Sequence, residues 1–166
     1  MDYTFIHGIT HLHSVSIGCT FRTVEYIPGN KPTKKHSVKG TRKIINVFKK
    51  HGIRISQINA DNAFECICEK IQPTNLNIVG AGEHVGDIER ANRPLKEETR
   101  CEIHRCPYRR YTHETVKGCV IKVTKDHNDL SANDGISDIH GPGILVTVRQ
   151  KPGYNRLNVL NFGDYV

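Results

Sequence analysis

The N-terminal part of the chain alternates between apolar and polar positions. From Ser14 to Arg22 every second residue is apolar, which is the period of a half-buried β-strand. The segments 2–7 and 23–27, on either side of it, complete a pattern of three short strands. The pattern therefore predicts a three-stranded antiparallel meander, with turns or bulges at Gly8 and Gly18.

The middle of the chain changes to a mixture of helical and strand periods. Val38–His51 carries its apolar residues on one stripe and is followed by Gly52, which is typical of a helix that ends at a glycine. The pattern then predicts a strand at 53–58, a short helix at 64–71 and a strand at 76–79. This order of elements predicts an α/β fold, a five-stranded mixed sheet flanked by helices.

The second half of the chain is mainly helical. A glycine-rich loop, 80–86, precedes a helical pattern from Asp87 to Ile103, in which Pro94 is expected to bend or interrupt the helix. A further helix is predicted beyond Pro107, and a polar, glycine-containing stretch follows at 126–143.

The length of 166 residues is that of one domain. We divide it into a core, residues 1–125, and a C-terminal extension, residues 126–166. No stretch of the sequence approaches the apolar run that a membrane span needs, and the N-terminus has no secretion signal. An intracellular protein without a membrane partner is therefore expected.

Basic residues are in excess and are clustered. The chain has 24 Lys and Arg against 17 Asp and Glu, a net charge of +7. The first cluster comprises Lys31, Lys34, Lys35, Lys39, Arg42 and Lys43, and the second comprises Arg105, Arg109 and Arg110 beside Tyr108 and Tyr111. A charged run often only solubilises a surface, but clustering favours contacts with phosphates, and hence a nucleic acid partner.

Three acidic residues stand at the ends of predicted elements. Asp2 opens the first strand, Asp61 follows the fourth, and Glu89 begins the helix after the glycine-rich loop. If the first and fourth strands are neighbours, these carboxylates converge, and such a set suits two Mg²⁺ ions. Taken alone, the pattern favours ordinary solvated surface carboxylates.

Four segments resemble, in the right order along the chain, the catalytic core of a copia-type LTR retrotransposon integrase, of the DDE, ribonuclease-H-like superfamily. Gly86–Leu95, which contains Glu-Arg-Ala-Asn-Arg, is the most specific of them. Ile58–Phe64, with its Asp-Asn pair, is similar to the strand-end Asp-Asn segment of these integrases. The N-terminal Met1–Phe5 is similar to the first catalytic strand, and the C-terminal Leu157–Val166 is similar to the stretch that follows the copia core.

The resemblance implies a ribonuclease-H-like fold and metal-dependent polynucleotidyl transfer, namely 3′-end processing and strand transfer into target DNA. Asp2 would bridge two Mg²⁺ (or Mn²⁺) ions, and Asp61 and Glu89 would each hold one. The implied DNA-binding residues are Arg93, Lys96 and Arg100, and the implied supporting residues beside the acids are Asn62 and Asn92. Double-stranded DNA, a homo-oligomer, and the nucleus or a retrotransposon particle are the implied partners and location.

The sequence also departs from the family. Between Asp61 and Glu89 there are 27 residues, whereas retroviral integrases keep thirty-five, a count that Glu97 satisfies. We prefer Glu89, because Glu97 lies about 12 Å further along the helix and the Arg-Ala-Asn-Arg context follows Glu89. Pro94 and the lack of the zinc finger that precedes the family's core suggest a degenerate copy. The alternatives are a non-catalytic DNA-binding remnant and a ribonuclease-H-type nuclease.

Overall fold

The computed structural model describes residues 1–29, 31–79, 86–108, 110–131 and 135–148. The elements, in chain order, are β1 (Asp2–Ile6), β2 (Ile9–Val15), β3 (Arg22–Ile27), α1 (Lys34–Lys50), β4 (Gln57–Ala60), a 3₁₀ helix (Asn62–Lys70), β5 (Asn75–Ile78), α2 (Gly86–Arg105), α3 (His113–Asp129) and α4 (Pro142–Thr147). The predicted order of three strands, helix, strand, helix, strand and further helices is confirmed. The C-terminal Leu157–Val166 segment lies outside the described residues.

The antiparallel meander is present, in the order β1-β2-β3. The turn between β1 and β2 is His7-Gly8, and both residues have positive φ, 47° and 75°. Two successive positive φ values give the turn that matches the right-handed twist of a hairpin. This turn pairs Ile6 with Ile9 and, at the other end of the ladder, Asp2 with His13.

The predicted strand from Ser14 to Arg22 is wrong. β2 ends at Val15, and the chain then turns, with Ser16 N–H donating to the carbonyl of Phe21 at 2.9 Å. Gly18 has φ +90° at this turn, and Ile17 is 76% exposed although it was expected to share a buried face with Phe21. The alternation runs across a turn and not along one strand.

The strands form two sheets, and the predicted five-stranded mixed sheet is not seen among the described residues. β4 and β5 pair in parallel as a separate two-stranded sheet. The amino group of Met1 donates to the carbonyl of Asn59 at 2.8 Å, which places the start of β1 beside β4. Since β4 ends at Ala60, β1 and β4 overlap too briefly to form a ladder.

α1 covers one face of the meander. Its first turn is capped by Thr33, whose hydroxyl accepts from His36 N–H, and Gly52 follows its end with φ +75°, as predicted. An added Cβ at Gly40 would lie 3.1 Å from both Leu12 and Ile27, so α1 packs closely on the sheet. This core continues to β4, β5 and the 3₁₀ helix.

α2 and α3 cover the opposite face of the meander. Ile6 and Ile9 of the first hairpin pack there with Leu95, Ile103 and Val120 in a second apolar cluster. α2 runs as one helix through Pro94, so the expected interruption does not occur. Within the described residues, no helix has the length and apolar character needed to cross a membrane.

Candidate active site

Asp2 lies at the start of β1, and both of its carboxylate oxygens are engaged. Oδ1 accepts from Tyr3 N–H at 2.6 Å, and Oδ2 accepts from Asn92 Nδ2 at 2.9 Å. Burial raises the pKa of Asp2, the hydrogen bond from Tyr3 opposes this shift, and the negative charge of Asp61 adds to it. Asp2 is therefore a fixed, partly desolvated carboxylate within electrostatic reach of a second acid, Asp61.

Asn92 connects Asp2 to a buried histidine. Its Oδ1 lies 2.7 Å from His13 Nδ1, and because an amide oxygen can only accept, His13 carries its proton on Nδ1. His13 is fully buried, and burial lowers its pKa to about 4, so the ring is neutral near pH 7. Its position in β2, directly opposite Asp2, puts both side chains on the face that α2 covers.

Two contacts bring Asp61 towards Asp2. The first is the hydrogen bond from Met1 to Asn59, and the second is the stacking of Tyr3 on Phe64, with ring centroids 4.4 Å apart. Asp61 precedes the 3₁₀ helix as its N-cap, and its Oδ1 accepts from Asn62 N–H at 2.6 Å. Backbone and ring contacts therefore connect the start of β1, which carries Asp2, to the segment that carries Asp61.

Glu89 lies in the first turn of α2 and lines an open groove of about 400 Å³ together with Asp2. The helical spacing of three or four residues continues from Glu89 along this face of α2. The other side chains that line the groove are Asn92, Arg93, Lys96, Glu97 and Arg100. The groove therefore contains two of the three predicted acids, all three predicted DNA-binding residues and the predicted supporting residue Asn92.

Two of the three basic residues of the groove, Arg93 and Arg100, are exposed, and Lys96 is half-buried. Arg93 is 81% exposed at its side chain and pairs with Glu97 at 3.0 Å. Glu97, the rival third ligand, also lines the groove, but its carboxylate is paired with the guanidinium of Arg93. Asn62, the other predicted supporting residue, is exposed and contacts Asp61 through its backbone N–H.

The two basic clusters noted in the sequence lie elsewhere. The first is on or near α1, on the other face of the meander from α2, where Lys43 pairs with Glu25 at 2.7 Å and Arg42 donates to the carbonyl of Lys70 at 2.9 Å. In the second cluster Arg105 pairs with Glu102 at 3.0 Å, and Arg109 lies outside the described residues.

The donor set fits a divalent cation at two of the three acids. Asp2 and Asp61 offer hard carboxylate oxygens. A cation between them would offset the electrostatic cost of burying the charged Asp2 and the repulsion between the two carboxylates. Within the described residues, no group of three or more His, Cys, Asp or Glu side chains is close enough to hold one ion. A third ligand from Glu89 remains a prediction.

His13 is the residue of this site that the sequence did not single out. A polar residue at a buried strand position is visible only when the register of the strand is known, and the alternation predicted β2 in the wrong place. Once the register Asp2–His13 is fixed, the neighbourhood of the two residues follows.

Comparison with known proteins shows the fold. The sequence matches no known protein family and no curated protein. A solved structure, the catalytic core domain of BIV integrase, is similar over 88% of this chain and 90% of that chain, with a TM-score of 0.61 and 16% sequence identity. At this level of identity the similarity is one of fold, and we conclude that the chain has the α/β, ribonuclease-H-like fold of a retroviral integrase catalytic core.

Proposed function

We propose that this chain is an integrase core that carries out metal-dependent polynucleotidyl transfer on double-stranded DNA. The observation that carries the proposal is the groove in which Asp2, held by Asn92 and within electrostatic reach of Asp61, lies with Glu89 and with the basic residues Arg93, Lys96 and Arg100. The integrase-like fold supports it independently.

Each group in the groove has a role in this proposal. Asn92 holds one oxygen of Asp2, which leaves the remaining lone pairs of that carboxylate in a fixed direction. Arg93, Lys96 and Arg100 would contact DNA phosphates and set the position of the strand relative to the acids. Two Mg²⁺ ions, when bound at the three acids, would stabilise the attacking and leaving oxygens of the displacement.

The finer points of the proposal come from the sequence. Gly86–Leu95 supports a copia-type retrotransposon origin, and the same resemblance supports homo-oligomeric assembly and a place in the nucleus or in a retrotransposon particle. Light scattering of the purified chain tests the assembly, since a monomer at all concentrations would argue against it.

The decisive experiment compares Asp61→Asn with wild type in nicking and strand-transfer assays with Mg²⁺, with Mn²⁺ and with EDTA. We expect wild-type activity to require the metal and Asp61→Asn to lose it, because an amide keeps the shape of a carboxylate but lacks its charge. Duplex binding should persist, since the groove cations are unchanged. Asp138→Asn, an exposed acid outside the helices and strands, is the matched control.

Two results would contradict the assignment. Full activity of Asp61→Asn together with loss in Glu97→Gln would move the site to Glu97. Duplex binding by a wild type that never cleaves would favour the alternative, a DNA-binding protein without catalysis.

A further inference from the structure

Two buried cysteines lie together where the end of α2 packs against α3. Cys106 directly follows α2, and Cys119 lies near the start of α3, in the second apolar cluster. Each residue is 7% exposed, and both side chains are free thiols. We call this pair the helix-junction thiols.

The polar contacts between α2 and α3 give the register of the two helices. Glu98 Oε1 lies 3.3 Å from His127 Nε2. One turn further along α2, Glu102 Oε1 lies 3.3 Å from Lys122 Nζ. The helices are therefore antiparallel, because contacts that lie later in α2 lie earlier in α3. One more turn in the same direction brings the helix-junction thiols opposite each other.

The two thiols are also in contact with each other. The thiol of Cys119 is hydrogen-bonded to Cys106, and Cys106 Sγ donates to the carbonyl of Glu102 at 3.4 Å. Burial raises the pKa of the Cys119 thiol, and the contact with Cys106 raises it further. Cys119 therefore stays protonated near pH 7, beside the second sulfur atom.

Charged side chains lie beside the helix-junction thiols at the surface. Glu102 pairs with Arg105 at 3.0 Å as well as with Lys122, and the side chains of Arg105 and Lys122 are 77% and 55% exposed. The charge of Glu102 raises the pKa of Cys119 and that of Lys122 lowers it, so both charges act at the thiol. The two sulfurs therefore lie at the margin of the interface between α2 and α3, within reach of a small reagent.

We propose that the helix-junction thiols are an oxidation site, which closes to a disulfide bond between Cys106 and Cys119 by exchange with a small-molecule disulfide. The thiolate of one cysteine attacks a sulfur of the reagent, forms a mixed disulfide and releases one thiolate. The thiolate of the other cysteine then attacks the protein sulfur of the mixed disulfide and releases the second. The two cysteines lose two electrons and two protons, and the reagent leaves as two thiols.

The disulfide bond would fasten the end of α2 to α3. It would close the connection 107–118, a loop of twelve residues, and so restrict the unfolded chain. For a loop of about this length in a chain of this size, we expect Tm to rise by roughly 5–10 °C. Neither cysteine lines the groove along α2, so oxidation would restrain the helix that carries the groove residues without filling the groove.

The test incubates the full chain with reduced and oxidised glutathione at about pH 8.5, where a larger share of thiols is deprotonated. Free thiols are then blocked with N-ethylmaleimide, and the chain is digested with trypsin. Trypsin releases the helix-junction thiols on two separate fragments, 106–109 and 118–122. We expect mass spectrometry to find these fragments joined, and the higher Tm of the oxidised chain to return to its starting value with dithiothreitol.

Two variants serve as matched controls. Cys101→Ser removes an exposed thiol from α2 and should leave both the joined fragments and the shift in Tm unchanged. Cys106→Ser removes one of the helix-junction thiols and should abolish both. The measurement on the wild-type chain does not depend on how well either variant folds.

Four outcomes would overturn the proposal. The first is a chain in which Cys101 carries glutathione while 106–109 and 118–122 stay separate and blocked by N-ethylmaleimide, since the buried thiols would then only fill space. The second is an equal yield of joined fragments from the chain unfolded in urea, since the fold would not direct the bond. The third is a bond from either fragment to Cys101, and the fourth is a lower Tm of the oxidised chain, since the helices would then be distorted by the bond.

Discussion

A buried amide can hold a carboxylate in place only if both of its ends find partners. In this chain Asn92, 7% exposed, meets that condition, because its Nδ2 donates to Asp2 and its Oδ1 accepts from His13. The position of Asp2 is therefore coupled to a histidine in the middle of the sheet. This coupling can be measured through stability, without any assay of activity.

We expect Asn92→Ala to lower the free energy of unfolding by about 1–3 kcal/mol, because it leaves the buried Nδ1–H of His13 without an acceptor. In a chain of this size the corresponding fall in Tm is roughly 2–4 °C per kcal/mol. Thermal unfolding followed by circular dichroism measures it. Asn62→Ala is the control, since that side chain is exposed and should change stability by less than about 0.5 kcal/mol. Equal losses in the two variants would argue against the bridge.

The same histidine predicts a dependence of stability on pH. Burial lowers the pKa of His13 from 6.5 to about 4, so between these values the unfolded chain binds a proton that the folded chain does not. Above pH 6.5 His13 is neutral in both the folded and the unfolded chain and does not lower the free energy of unfolding. As the pH falls from 6.5 towards 4, protonation of the unfolded chain lowers the free energy of unfolding. His11 and His127 have similarly lowered pKa values, of about 4, and add to the slope.

Urea unfolding at a series of pH values between these limits gives the slope. We expect His13→Asn to reduce it by about 1.4 kcal/mol per pH unit, the value for one proton. His140→Asn, at an exposed position, should leave the slope unchanged. An unchanged slope in His13→Asn would mean that His13 is protonated in the folded chain.

At the scale of elements, the periodicity of apolar residues predicted those helices and strands that depend only on residues close together in the sequence. The stripe of α1 with its glycine end, the long α2 and the three-stranded meander follow from spacing and capping within each segment. What failed depended on contacts between segments. The alternation from Ser14 to Arg22 suggested one strand because both arms of a turn keep the same period, whereas the glycine at position 18 correctly marked a turn or bulge site.

The start of β4 shows the same limit. Ile53 and Ile55 have the spacing of a strand, but pairing with β5 begins only at Gln57, where the partner strand begins at Asn75. For the candidate site, the acids could be predicted because they lie where strands and helices begin or end. The bridge from Asp2 to His13 could not, because it joins residues from three elements that only the tertiary fold brings together.

At the scale of the whole molecule, positive charge lies on two opposite faces. The groove along α2 contains Arg93, Lys96 and Arg100, whereas α1, on the other side of the meander, exposes Lys34, Lys35 and Lys39. Phosphate contacts weaken as salt rises, since binding releases counterions. The two faces can therefore be distinguished by the salt dependence of duplex binding.

We expect the triple variant Arg93→Ala/Lys96→Ala/Arg100→Ala to reduce the slope of log affinity against log salt by up to about 0.9 for each phosphate contact that is lost. The variant Lys34→Ala/Lys35→Ala/Lys39→Ala removes the same charge and should change the slope less. Titration of a fluorescent duplex at several salt concentrations measures both. A larger effect of the α1 variant would place the duplex on the face away from the acids.

The hydrogen bond from Met1 to Asn59, at the junction of the two sheets, also bears on how the molecule unfolds. The apolar core is shared across this junction, since Leu12 of β2 belongs to the same cluster as Ile58 of β4 and Leu76 of β5. Cooperativity between the sheets therefore depends on side-chain packing and hardly on the backbone.

Loosening that packing should uncouple the two sheets into separate units of unfolding. Leu76→Ala should split a single denaturation transition into two, with β4 and β5 released first, whereas a single transition at lower denaturant would show that the backbone junction suffices.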